Sequence, residues 1–465
     1  MRRPCVVLLS VLFLASPLPA QDSAAPPRKP SSEEKEQALA ILAEARGVLF
    51  PLRHRPESIV LLGRIAPLLA SAGDSAGARD LVAALPSNQR LAVELEIVGA
   101  ELRSGETSAA LELAAGLPDE NGKAAALLEV VQAQAAAKDF SAALRSATLI
   151  PPARVESVEA LVAVAKEETQ AGKSGEAAQL LERARAATDT LATPSQGEMN
   201  CGLSVLAEIA SAQQELGESA EALKTLRLAS ERLSEADQNC RYGAISHLED
   251  DRQRPEALQK ETVQLLGQLV PDAQDKEEED QGDLDGPPAE SLKIPSEPGS
   301  EAEPSTLSPE EARHALDGLR SVKPLPTRAL AAIGTSQMLV SKGKLGEAEE
   351  ALHVGLEAAD TVQDDNLRGA LFAARAQVRT SAKDWDGARR ALEEIPDETQ
   401  RTSALENVAF SATQSGQAER ALSWAKDEAS PLSEARVLVS IVEALLHQPH
   451  PDTQSDGSYV RLRSM

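Results

Sequence analysis

Leu216-Gly217-Glu218-Ser219-Ala220-Glu221-Ala222 is the stretch from which the rest of the chain can be read. A glycine is followed five residues later by an alanine, between two segments rich in Leu and Ala. The same spacing recurs at Gly73/Ala78, Gly105/Ala110, Gly172/Ala177, Gly343/Ala348 and Gly416/Ala421, and lysine replaces the glycine at Lys138/Ala143 and Lys383/Ala388. Successive anchors are 32, 33, 34 and 45 residues apart in the first half, then 40 and 33 in the second. Pro86, Pro118, Pro151 and Pro396 each lie 13 residues after an anchor. A unit of this length with breakers at two fixed points is the pattern of a helix-turn-helix repeat.

Each breaker has a physical task. Glycine accepts the positive φ that closes a helix. The next residue opens a second helix, and proline ends it. The alanine falls where the two helices of a hairpin approach, so a larger side chain would force them apart. Stretches such as Leu91 to Val98 and Ser157 to Val164 carry apolar residues at helical spacing. No alternating Val/Thr/Tyr run between turn dipeptides suggests a strand. The predicted fold is all-α, built of tandem helical hairpins. Trp385 and Trp424 fall on second helices of adjacent repeats, where they read as core or interface anchors.

The unit resembles the tetratricopeptide repeat, carried by Ala72-Gly73-Asp74 to Ala78, by Leu216 to Ala222, and by Lys342-Gly343-Lys344-Leu345-Gly346-Glu347-Ala348. The likeness covers roughly residues 57–235 and 310–430; that family's bulky first-helix aromatics are absent. What the resemblance implies is a curved superhelix that grips peptides or partner proteins along its concave face.

Composition divides the chain further. Residues 272–305 hold twelve acids against Lys276 and Lys293, with five prolines and no aromatic. Such a segment buries too little apolar surface to offset its ordering entropy. The expected organisation is a signal peptide (1–20), a disordered segment (21–32), a repeat block (33–270), a disordered acidic linker (271–306), a second repeat block (307–446) and a disordered tail (447–465). The signal peptide is read from Arg2 and Arg3, the apolar core Val6 to Ala15, and the small-residue site Leu18-Pro19-Ala20. Export to the periplasm or the extracellular space follows as an expectation. There Cys201 and Cys240 are an even pair in an oxidising compartment, with a disulfide and two free thiols both open.

Charge excludes some functions. With 73 Asp plus Glu against 47 Lys plus Arg, the chain has a net charge of −26, which disfavours nucleic acid over its general surface. Its aromatic content of 2% supplies no stacking platform. No run of 18 or more apolar residues exists, so no transmembrane segment is expected in the mature chain. The predicted first helices of the first block carry an excess of Glu. Those of the second carry Arg328, Lys342, Arg368, Arg375, Arg379 and Arg401 against Glu406 alone. Two readings stay open: unevenly distributed solvated charge, or a candidate basic groove of Arg328, Arg368, Arg375, Arg379 and Arg401 that the acidic linker or an acidic partner would occupy.

Other motifs give way to the repeat. Gly73-Asp74-Ser75-Ala76-Gly77 fits the G-x-S-x-G nucleophile elbow, but that motif requires a strand-to-helix turn. Gly172-Lys173-Ser174 imitates the end of a P-loop without the upstream glycine. The six histidines are scattered and show no metal-ligand spacing. Asp364-Asp365-Asn366 lacks calcium-loop spacing and reads as a helix cap. Glu167-Glu168 reads as a solvated face. No catalytic residue, cofactor or metal is expected. The sequence points to an exported, non-enzymatic scaffold or adaptor for a protein or peptide partner. The alternatives are a structural subunit of an envelope assembly and a serine hydrolase using Ser75.

Overall fold

The computed structural model of the chain describes residues 29–191, 203–235 and 308–447. Cys201, Cys240, the signal peptide, the acidic linker and the tail beyond His447 lie outside the described residues. Among the described residues there are 19 α-helices and no strand. They form two units, one joining residues up to 81 with those from 308 onward, the other running from 82 to 235.

The second of these units contains α4 (Ser87–Ser104), α5 (Thr107–Gly116), α6 (Glu120–Ala136), α7 (Phe140–Ala147), α8 (Val155–Gln170), α9 (Ser174–Ala187), α10 (Leu203–Glu215) and α11 (Ser219–Glu235). These are four successive hairpins. Their first helices stack in the order α4, α6, α8, α10, and each of α5, α7 and α9 packs on the first helix that follows it. The core is Leu, Val, Ile and Ala, with Leu127, Leu181, Leu206 and Ile209 completely buried.

The other unit is permuted. It comprises α1 (Ser32–Leu49), α2 (Pro56–Ala72), most of α3 (Ser75–Ala83), and then α12 (Pro309–Ser321), α13 (Leu325–Ser341), α14 (Leu345–Val362), α15 (Asp365–Ser381), α16 (Trp385–Glu393), α17 (Glu398–Gln414), α18 (Ala418–Lys426) and α19 (Pro431–Leu445). First helices α13, α15, α17 and α19 stack in chain order. After α19 the row continues into the chain's own beginning: α1 packs along α19 in the place of its second helix, and α2 stacks on α19 as the next first helix.

The reason lies in α19 itself. Every residue from Val437 to Leu445 is buried, so the helix is covered all round. A terminal repeat needs a polar outer face, and this one has none. Helix α1 supplies the cover with Ala38, Ile41, Leu42, Ala45 and Leu49, spaced to form one apolar stripe. Ion pairs join neighbouring elements, Arg64 of α2 to Glu443 of α19 at 2.7 Å and Lys426 of α18 to Glu44 of α1 at 3.5 Å, and His447 lies 3.9 Å from Glu34 of α1. The sequence-based blocks, 33–270 and 307–446, had placed α1 and α2 with the N-terminal repeats. The structure groups them with the C-terminal ones.

The hairpin turns share one geometry. Gly73, Gly105, Gly172, Gly217, Gly343 and Gly416 all have φ between 71° and 102°, and Lys138 and Lys383 adopt the same region at 63° and 58°. In each turn the next residue's N–H donates to the carbonyl five residues before it, as from Glu106 to Glu101 and from Asp384 to Arg379, at 2.8–3.0 Å. That is the Schellman closure of a helix. The residue after the anchor then serves as N-cap, and in Asp139 and Asp384 the side chain accepts a backbone N–H as well.

The alanine five residues past each anchor has no exposed surface at any of the eight positions: Ala78, Ala110, Ala143, Ala177, Ala222, Ala348, Ala388 and Ala421. These residues lie on the second helices, one turn or less from their start, and their methyl groups face the hairpin interior. They are packing residues and offer nothing to a partner. Their backbone N–H groups also start the second helices: Ala110 donates to Glu106, Ala143 to Asp139, Ala177 to Lys173, Ala388 to Asp384 and Ala421 to Gln417, at 2.8–3.1 Å. Enlarging such a side chain costs about 1–3 kcal/mol of overpacking.

Candidate partner-binding surface

Because the turns are equivalent, positions can be counted back from them. Nine residues before the turn, α4, α6 and α10 present Glu96, Glu129 and Glu208, all exposed, while α8 presents the half-buried Ala163. One register of the first helices thus carries a row of carboxylates. Glu96 and Glu129 keep contact with solvent, yet the surrounding chain desolvates both enough to lift them above the ordinary carboxylate range, with Arg103 pulling the other way. The same two carboxylates oppose the desolvation that lowers Arg103. Glu94, also on α4, is raised by desolvation against the pull of Arg90.

The repeat anchors themselves stand apart from this row. Gly73, Gly105, Gly172, Gly217, Gly343 and Gly416 close the turns, while Ala110, Ala143, Ala177, Ala388 and Ala421 are sealed between helices and offer no surface to a ligand.

The five arginines of the predicted basic groove are engaged within the chain. Arg375 and Arg379 on α15 both reach Glu349 of α14, at 2.9 Å and 2.5 Å, and Arg379 also binds Asp384 at 2.9 Å. Hydrogen bonds from Glu349 and Asp384 hold the Arg379 pKa up. The backbone N–H of Gly387, followed by Arg379, holds Asp384 below its usual value. Arg368 pairs with Asp360 at 3.0 Å and Asp365 at 3.5 Å. Arg328 and Arg401 donate to the carbonyls of Val322 and Ile395. The expected row of uncompensated positive charge is therefore corrected: Glu349 and Asp360 on α14, and Asp384 in the turn, neutralise three of its members. Counting charge on first helices alone had left these acids out.

Four residues before the turn lies a different row. In α4, α6, α8 and α10 this position holds Glu101, Gln134, Glu168 and Gln213, all buried, where α2, α13 and α17 have Leu69, Leu339 and Ala412. Gln213 accepts the Thr225 hydroxyl at 2.7 Å, joining the two helices of its hairpin. Glu168, read from the sequence as solvated, is 4% exposed. Desolvation raises its pKa, opposed by Lys173 and reinforced by Glu176. Another ion pair ties first helix to first helix: Arg436 of α19 grips Glu406 of α17 through two bonds of 2.9 and 2.8 Å.

The sequence motifs fall as follows. Ser75 is the first residue of α3 and follows α2 through the Gly73 turn, so helices flank it on both sides. Gly172-Lys173-Ser174 is the α8–α9 turn, with the Lys173 ammonium 4.5 Å above the Phe140 ring. Asp364 caps α15, accepting from Asn366 and Leu367. Trp385 and Trp424 are buried. Among the described residues no cluster of three metal-ligating side chains occurs, and no helix is long and apolar enough to cross a membrane.

The chain is a tandem helical-hairpin repeat protein. No family model and no curated protein matches it. Among solved structures, Ton1535 from Thermococcus onnurineus NA1 is 16% identical, with 81% of this chain and 97% of that one covered at a TM-score of 0.22. A Rap protein complexed with competence and sporulation factor is 12% identical, covering 89% of this chain and 100% of that one at 0.22. A circular tandem repeat protein of novel repeat topology is 14% identical, with 89% and 95% covered at 0.15. At such TM-scores these matches carry no weight. The repeat assignment rests on the chain's own turns.

Proposed function

We propose that this is an exported, non-enzymatic scaffold of tetratricopeptide-like repeats that binds a protein or peptide partner along its first helices. The observation that carries the reading is the register of Glu96, Glu129 and Glu208, which places an exposed carboxylate at one position in three of the four hairpins. A row of like charges at one position suits an extended or helical cationic segment of a partner, because complementary fields steer encounter and fix register. The helical setting of Ser75 supports the non-enzymatic reading, since an exposed nucleophile needs the strained strand-to-helix elbow.

The test is a triple variant, Glu96→Lys, Glu129→Lys and Glu208→Lys, compared with the wild-type chain as bait in native extracts. The substitutions are at exposed sites, so far-ultraviolet circular dichroism should be unchanged. A partner recovered by the wild type and lost by the variant is expected. Identical recoveries would overturn the reading. For export, N-terminal sequencing of the chain from its producing cells should begin at Gln21, and a mature chain beginning at Met1 would refute it.

A further inference from the structure

We infer that the corner between α1 and α2 is a docking surface for an acidic segment of a partner protein, which lays an apolar side chain on the exposed Phe50 ring between arginines. This deepens the protein-interaction reading and rests on it, but concerns a different surface from the glutamate row.

The loops that lead into α6, α8 and α17 each bury an apolar residue, Leu117, Ile150 and Ile395. The connection into α2 buries Leu49, at the end of α1, and then adds Phe50, which is 64% exposed. No other large apolar side chain among the described residues is as exposed. Phe50 keeps helical backbone angles, and its N–H donates to the Arg46 carbonyl. Arg46, four residues before it, therefore shares its side of the chain, and so does Arg53, three residues on through a 3₁₀ turn. The Arg53 guanidinium lies 4.6 Å from the ring centroid and donates to the Phe50 carbonyl at 3.2 Å. A Cβ built on Gly47, one turn back, would meet nothing within 4 Å, so the approach to the ring along α1 is open.

Charge selects the occupant. In a chain with 73 acids and 47 bases, residues 45–56 hold Arg46, Arg53, His54 and Arg55 and no acid. None of the three arginines is ion-paired among the described residues. Of the bordering acids, Glu44 is 3.5 Å from Lys426, and Glu57 lies in the first turn of α2. Aromatic and arginine side chains are those on which interface energy concentrates. An acidic segment with an apolar residue suits both: the apolar group covers the ring, and its carboxylates take guanidinium groups that can hold them through paired N–H bonds. A cationic segment would be repelled there. An anionic bilayer offers the same charge, but so broad a surface also meets the chain's net charge of −26, which a narrow peptide avoids.

The probe is a fluorescein-labelled peptide with a pair of leucines between runs of glutamate, with a twin that has lysine in place of glutamate. Each is titrated against the full chain by fluorescence anisotropy. The glutamate peptide should bind at least about tenfold tighter. Phe50→Ser, and the double variant Arg46→Ser with Arg55→Ser, should each weaken it about tenfold, while Phe50→Trp retains binding. Leu149→Ser, at a loop leucine that is 47% exposed in the other unit, should leave binding unchanged. Unchanged circular dichroism would verify folding of these surface variants. Equal binding of the two peptides, wild-type binding by Phe50→Ser, or an equal loss in Leu149→Ser would overturn the inference. So would phosphatidylglycerol vesicles that bind the wild type and not Phe50→Ser while the peptide fails, or a concentration-dependent dimer that Phe50→Ser dissociates, because the occupant would then be a bilayer or a second copy. The triple glutamate variant should bind the peptide normally. Peptide failure with a partner still lost by the triple variant removes this surface alone, and peptide binding with identical recoveries removes the glutamate row alone.

Discussion

Leu42→Ala tests the permuted packing most sharply. Leu42 lies on α1 near the start of the chain and has no exposed surface. Truncating such a leucine costs about 2–5 kcal/mol, depending on how far the site collapses. Taking about 3 kcal/mol, and a urea dependence of about 2 kcal/mol per molar, the unfolding midpoint should fall by about 1.5 M. The chain has only two tryptophans, Trp385 and Trp424, and both are buried in the unit that includes α1. Tryptophan fluorescence therefore reports the stability of that unit, although the substitution lies more than 300 residues away in sequence. The expected result is a large shift of the fluorescence transition. If instead the far-ultraviolet transition moves while tryptophan emission holds its wild-type midpoint, α1 belongs with the N-terminal repeats and the seam against α19 is wrong.

Three further outcomes follow from the turns, one close packing and the buried acids. Lys138 and Lys383 occupy the left-handed region without being glycine, so Lys383→Gly should raise stability by about 1 kcal/mol in thermal melts, and Gly105→Ala should lower it by a similar amount. Gly355 lets α13 and α14 approach: a Cβ there would come 2.6 Å from the Ala332 Cβ and 2.7 Å from Leu371 Cδ2, so Gly355→Val should destabilise by about 1–3 kcal/mol in urea titrations. Glu168 has a folded pKa above its unfolded value of 4.5. Its contribution is thus fully present below pH 4.5 and is lost as pH rises through the folded value. Glu168→Gln should melt higher than the wild type at pH 7, with the gap closing as pH falls toward 4.5; an equal gap at both pH values would refute the assignment.

Much of the fold could be read locally because a hairpin turn is a local event. A positive φ at the anchor, a cap beside it and a small residue one helical turn later leave their marks within six residues, and Gly217 to Ala222 shows them all. Which hairpins stack on which is decided by unsatisfied surface instead, and that information is distributed. It was present in Val437-Leu438-Val439-Ser440-Ile441-Val442, a final helix too apolar to end a repeat row, and in the apolar stripe of α1. The two signals lie nearly four hundred residues apart, and a scan for adjacent repeats assigns each to its nearest neighbour.

Charge failed for a related reason. Arg375 and Arg379 looked available because only residues of first helices were compared, whereas an arginine side chain is long enough to reach an acid on the adjoining second helix, as both do at Glu349. A paired guanidinium contributes little field to a distant ligand, so a binding face is better sought where the local chain lacks acids altogether. Residues 45–56, around the exposed Phe50, have none, and their arginines are not ion-paired among the described residues.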